Sequence, residues 1–203
     1  MSGQWQDLCA ARKKKQYDSI PKEWLIQLPP DDQLNVMDVP SKCGLLTSRE
    51  LDITETVDVD VILRKLSTAE WSSVEVTTAF LKRAIVAQQL VRRKSFSLSF
   101  VLLNRSQTNC LTEIFVDRAL ARAKETDDYL RDNGKTMGSL HGLPISLKDQ
   151  FTMQGLETIM GKHIRDILHI ILNLSQGYVS WIGRVATNDC VLVEILYNCG
   201  MFI

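Results

Sequence analysis

Nothing in the sequence approaches the roughly 18 consecutive apolar residues that a membrane span needs. The N-terminus, with Gln6, Asp7, Arg12 and the Lys13-Lys14-Lys15 run, has no apolar signal core. Charge of one sign is missing too: Lys+Arg 24 balances Asp+Glu 24, so no preference for a polyanion follows. The expectation is a cytoplasmic chain with neither membrane nor nucleic acid as a partner. The five cysteines, Cys9, Cys43, Cys110, Cys190 and Cys199, are odd in number and lack C-x-x-C spacing, which fits free thiols better than a disulfide framework or a zinc site. Histidine is scarce; His163 and His169, six residues apart, share no helical face and have no cysteine or carboxylate cluster beside them. No metal and no cofactor is expected. Proline is confined as well: four of the five fall between Ile20 and Gly44, which reads as an extended connector.

With 203 residues, 45% hydrophobic and 24% charged, the chain has apolar material for one core and the composition of a soluble globular protein. A first helix is expected over Trp5–Tyr17, with Trp5, Leu8 and Cys9 on one side. Ser72 and Glu75 form a capping-box pattern ahead of Val76, Ala79 and Phe80, which predicts a helix from there to about Leu90. Another should run from Thr112 to about Arg131, burying Ile114, Phe115, Ala119, Ala123 and Leu130 and ending at Gly134. Its acids Glu125, Asp127, Asp128 and Asp132 resemble paired carboxylates but read most simply as a solvated face. A fourth helix is expected over Thr187–Tyr197, with Val191, Val193, Ile195 and Leu196 apolar.

The richest stretch runs from Leu140-His141-Gly142-Leu143-Pro144 through Ile145-Ser146-Leu147-Lys148-Asp149-Gln150-Phe151 to Gly155-Leu156-Glu157-Thr158. Leu143, Ile145 and Leu147 alternate with small or polar residues, as in a strand with one face on a core. Lys148 sits where that strand leaves the sheet, and ligands of open α/β sheets bind beyond the carboxyl ends of strands. Spacing alone also allows a plain solvated Lys148–Asp149 pair of little energetic weight.

This block resembles the amidase signature family, and within it the acetamidase-like general amidases of fungi. Supporting matches are Ile20-Pro21-Lys22-Glu23-Trp24, Gly44-Leu45-Leu46-Thr47, Trp71 to Thr77, Asn109 to Phe115 and Gly177 to Gly183. The resemblance implies hydrolysis of a small-molecule carboxamide to carboxylate and ammonia or amine, by a serine nucleophile, a second serine in a cis peptide and a lysine. A serine hydroxyl attacks an amide only if a base removes its proton while N–H groups hold the oxyanion. A lysine serves as that base only when neutral, which desolvation and neighbouring cations promote. Lys148 matches the family's lysine. The family's serines lie in a GGSSGGE-like segment downstream, and no run in this chain resembles it. The expectation is a polypeptide inactive as written.

Two stretches match neither their surroundings nor the family: 91–107 and 162–176. Removing each restores a family-like run. Both can open on a GTAAG-like splice donor and both close on Leu-Asn-x-Ser-Gln, which can encode a branch site and a terminal AG. They read as two unspliced introns translated in frame or as genuine surface loops, whose entropic cost is modest. The first carries Arg92, Arg93, Lys94 and Arg105 around apolar residues that alternate with Ser95, Ser97 and Ser99, more like an aggregation-prone strand than a membrane helix.

The expected fold is α/β, a portion of the amidase-signature mixed sheet flanked by helices and incomplete at its C-terminus, within a single domain over 1–203. Helix faces that lack a partner should leave apolar surface exposed and solubility poor. Three readings of function remain open: an amidase by ancestry, a gene product without a biochemical role, and a non-catalytic binding or regulatory module.

Overall fold

A computed structural model describes residues 4–30, 33, 35–90, 111, 113–157 and 183–202. The stretches 91–107 and 162–176 lie outside the described residues, as do the side chains of Trp5 and Cys9. The helices are α1 (Gln4–Asp18), α2 (Val39–Lys42), α3 (Ser48–Glu55), α4 (Val59–Ser67), α5 (Ser73–Leu90), α6 (Val116–Asn133) and α7 (Val191–Asn198), with a 3-10 turn at Lys22–Trp24. No helix among the described residues is long and apolar enough to cross a membrane.

Helix α5 is the axis of the molecule and packs against α6, α3, α2 and the 3-10 turn. It can do so because it is apolar on more than one side. Val76 and Ala79 join Ile53, Ile62, Leu66 and Trp71 in one cluster, Ile85 joins Ile20 and Val116 in another, and Val86 joins Val39 and Leu46 in a third. Leu143, from the block singled out in the sequence, packs on the first of these. That contact ties the lysine-bearing segment to the helical core.

Helix α3 starts in a full capping box: the Glu50 N–H donates to the Thr47 hydroxyl at 3.2 Å, and the Glu50 carboxylate accepts from the Thr47 N–H at 2.7 Å. The other Glu50 oxygen accepts from Lys82 of α5 at 2.6 Å, with side chains only 11% and 16% exposed. Burial pushes the Glu50 carboxyl up, but the Lys82 ammonium and the Thr47 donors together outweigh it and hold it below the ordinary 4.5. A carboxyl lowered in the folded state stabilises in full above its unfolded value and loses that contribution as pH falls through the folded one. Glu50→Ala should therefore cost about 2–3 kcal/mol at pH 7 and distinctly less at pH 3, read from urea midpoints at the two pH values.

Helix α6 ends as expected on Gly134, whose left-handed backbone (φ 63°) lets its N–H reach the Leu130 carbonyl. It starts at Val116, later than the expected Thr112. Ala119 and Ala123 are buried as anticipated, whereas Ile114, Phe115 and Leu130 are only half-buried, and Val116 and Thr126 complete the inner stripe. Helix α7 is shorter than the expected Thr187–Tyr197, and of its apolar residues only Val193 is buried. Val191 is 70% exposed and Ile195 53%, so this helix leaves apolar surface uncovered.

The expected mixed sheet is reduced, among the described residues, to two isolated bridges: Pro144 with Phe202, parallel, and Glu157 with Val185, antiparallel. Around the first, Ile145 N–H donates to the Phe202 carbonyl at 3.0 Å and Phe202 N–H to the Leu143 carbonyl at 3.4 Å. A strand extends only as far as another backbone pairs with it, and among the described residues that pairing is confined to Leu143, Ile145 and Phe202.

Candidate active site

The block is anchored at its start by close backbone approach. Leu140 N–H donates to Cys199 O and Gly142 N–H to Gly200 O, both at 2.9 Å, so the 138–145 and 199–202 segments run side by side. Gly142 has φ 74° and its missing Cβ leaves room for the Ser73 hydroxyl, so glycine is required there on both counts. Thus the N-terminus of α5, the 138–142 turn and the 199–202 segment meet at one point.

Asp127 of α6 organises that point. Its carboxylate accepts from the Ser73 N–H at 2.6 Å and the Val74 N–H at 3.1 Å, satisfying two N–H groups that the first turn of α5 leaves unpaired. This corrects two expectations. Asp127 is a cross-helix cap and not part of a solvated face. The capping box at Ser72 is half-formed: the Glu75 N–H donates to the Ser72 hydroxyl at 3.0 Å, while the Glu75 carboxylate pairs with Arg49. The neighbouring acids behave as expected, Asp128 pairing with Lys124 and Arg131, and Asp132 with Arg131, on the surface.

From Ile145 to Gln150 burial alternates strictly. Ile145, Leu147 and Asp149 are half-buried, and Ser146, Lys148 and Gln150 are exposed. The period of two expected for a strand is therefore kept beyond the single bridge. It places Lys148 three residues past Ile145, at the carboxyl end of the pairing segment, and exposed. The dry surroundings that base chemistry needs are not provided by the described residues, whose backbone pairs with the block along one edge only. On the opposite face, the buried Asp149 Oδ2 has no hydrogen-bond partner among the described residues. His141, buried at the start of the block, likewise has an unpartnered Nε2. Sequence reasoning missed the structural parts of Asp127 and His141, since neither spacing nor composition reveals a contact made across the fold. No group of three or more His, Cys, Asp or Glu side chains suited to a metal ion occurs among the described residues.

Residues 102–167 match the amidase family, a stretch that contains the whole block and Lys148. The chain is 39% identical over 201 residues to an acetamidase of Emericella nidulans and 35% identical over 199 residues to an acetamidase of Aspergillus oryzae, in each case covering 98% of this chain. The chain is an amidase-family polypeptide, acetamidase-like in sequence. Its structure is similar to that of a fatty acid amide hydrolase, with a TM-score of 0.75 and 32% identity over 97% of this chain. This amidase-family chain spans 30% of the length of the two acetamidases and 30% of the fatty acid amide hydrolase.

Proposed function

We propose that this chain is the lysine-bearing part of an amidase that hydrolyses a small carboxamide to carboxylate and ammonia or amine, with Lys148 as the base of a Ser-cisSer-Lys site. The observation that carries the reading is the block around Lys148, inside the family match and at the carboxyl end of a backbone segment in parallel pairing. In that site the neutral amine would take a proton from a bridging serine, which in turn takes the hydroxyl proton of the nucleophilic serine as that serine attacks the amide carbon. These 203 residues hold no GGSSGGE-like run to supply the two serines. Lys148 is exposed in them.

By themselves, then, the 203 residues should not hydrolyse amides. Purified chain incubated with acetamide should release ammonia no faster than its Lys148→Ala variant; release that depends on Lys148 would overturn the reading. The parent amidase is expected to act on simple amides, and which amide is set by pocket residues that the lysine block does not include.

The same reading treats 91–107 and 162–176 as retained introns. Its support is the shared splice-like endings. Reverse-transcribed message should consist mainly of a form lacking both stretches. Message carrying both at full abundance would make them genuine loops.

A further inference from the structure

His141 is 2% exposed and sits between the 137–142 turn and the 199–200 segment. Its Nδ1 accepts a hydrogen bond from the Met137 N–H at 3.1 Å, so the neutral ring carries its proton on Nε2. That Nε2 is itself buried, with no partner among the described residues. On the far side, a Cβ at Gly200 would lie 3.0 Å from the His141 Cα, so the two backbones are in contact. The hydrogen bonds that fix the limb carrying Lys148 begin next to this ring, at Gly142 N–H to Gly200 O and Ile145 N–H to Phe202 O.

A second proton has no acceptable place here. It must go on Nδ1, where it would turn an acceptor into a donor facing the Met137 N–H and leave a cation in a buried joint with one ring nitrogen already unpartnered. The charged groups that reach the ring both come from α6. Asp127 favours the imidazolium, but its oxygens are engaged by the Ser73 and Val74 N–H groups; Arg122 opposes it. Cys199 and Gly200 present backbone to the turn, and Lys135 and Lys148, before and after it in the chain, are exposed.

We propose that His141 is an acid-sensitive latch: neutral, it closes the joint between the 137–142 turn and the 199–200 segment, and its protonation releases the limb that carries Lys148. Burial, the largest influence, holds the histidine below its ordinary 6.5, with Asp127 opposing and Arg122 assisting. A histidine lowered in the folded state stabilises in full above its unfolded value and loses that contribution as pH falls from there through the folded one. The window therefore opens at about 6.5 and extends downward. The latch does not depend on the amidase reading.

The test is amide hydrogen exchange in the 203-residue chain, corrected for the intrinsic pH dependence of exchange, alongside ¹⁵N shifts of the imidazole. Between pH 7 and pH 5 the protection of Gly142 and Ile145 should fall several-fold, and by at most about 30-fold for one proton, starting near 6.5 and levelling off where the imidazole of the folded chain takes its proton. His141→Asn, which keeps an acceptor near the Nδ1 position and cannot titrate in this range, should hold the protection constant. An imidazole charged at pH 7, or a ring that titrates while Gly142 and Ile145 keep their protection, would overturn the proposal. So would an equal fall in His141→Asn. If that variant fails to fold, the wild-type profile of protection against pH, set beside the imidazole shifts, decides alone.

Discussion

Replacing Gly138 with alanine is expected to cost the chain about 3 kcal/mol and to lower its thermal midpoint by about 6–12 °C. A Cβ there would lie 2.6 Å from the Cys199 carbonyl oxygen and 2.7 Å from its carbonyl carbon and Cα. All three are backbone atoms and cannot rotate away. They are also fixed on both sides: Cys199 N–H donates to the Ile195 carbonyl at 3.0 Å, and the Cys199 carbonyl accepts from Leu140 at 2.9 Å. Relief requires the two segments to separate, and with them the pairing that leads to Lys148. Gly44→Ala is the control. Gly44 has φ 75° but open space where its Cβ would go, so alanine there meets backbone strain alone and should cost about 1 kcal/mol. Heat unfolding followed by circular dichroism separates the two; equal losses would mean that the close approach at Cys199 carries no weight.

Phe202→Ala should be larger still, about 3–5 kcal/mol. Phe202 is 1% exposed and packs with Ala119 and Ala123 of α6, with Val74 and Leu81 of α5 alongside. The two alanines leave space that only a large side chain fills, and neither can move to close a void, because α6 is held to α5 by Asp127. Its backbone meanwhile makes both hydrogen bonds of the Pro144 bridge. The substitution thus weakens the one parallel pairing that orients the lysine segment. Equilibrium urea unfolding measures it, with Ile195→Ala, at a largely exposed position, expected within about 0.5 kcal/mol of the parent chain.

Local signals were legible where they are dense and self-contained. The apolar period and the Ser72–Glu75 pattern placed the helix ending at Leu90, and Gly134 marked the end of α6, because both depend on contacts within a turn or two. The Thr47-x-x-Glu50 box of α3 is a signal of the same kind that went unread, and its pairing with Lys82 is not written in any spacing. The start of α7 was set too early because the stretch before it is tied sideways: Ala186 exchanges backbone hydrogen bonds with Gly155 and Leu156, Cys190 N–H donates to the Thr152 carbonyl, and Asp189 accepts from the Gln154 N–H. Helix-forming residues held by such partners cannot turn.

At the site, the alternation around Lys148 was legible and its burial was not. A period of two says which residues share a face, and the structure keeps that alternation from Ile145 to Gln150. Whether the face is dry depends on what covers it, and cover comes from residues distant in sequence. The cross-helix cap by Asp127 escaped notice for the same reason, 54 residues separating it from Ser73.

The central claim is that Lys148 is the base of an amidase site whose serines lie in a different segment. It is tested most directly by a chimera in which this sequence, without 91–107 and 162–176, replaces the corresponding 30% of the Emericella nidulans acetamidase. The account predicts acetamide hydrolysis that Lys148→Ala reduces by about 1,000-fold or more, with the same variant folding as well as its parent. A folded chimera whose hydrolysis is unchanged by Lys148→Ala would contradict it.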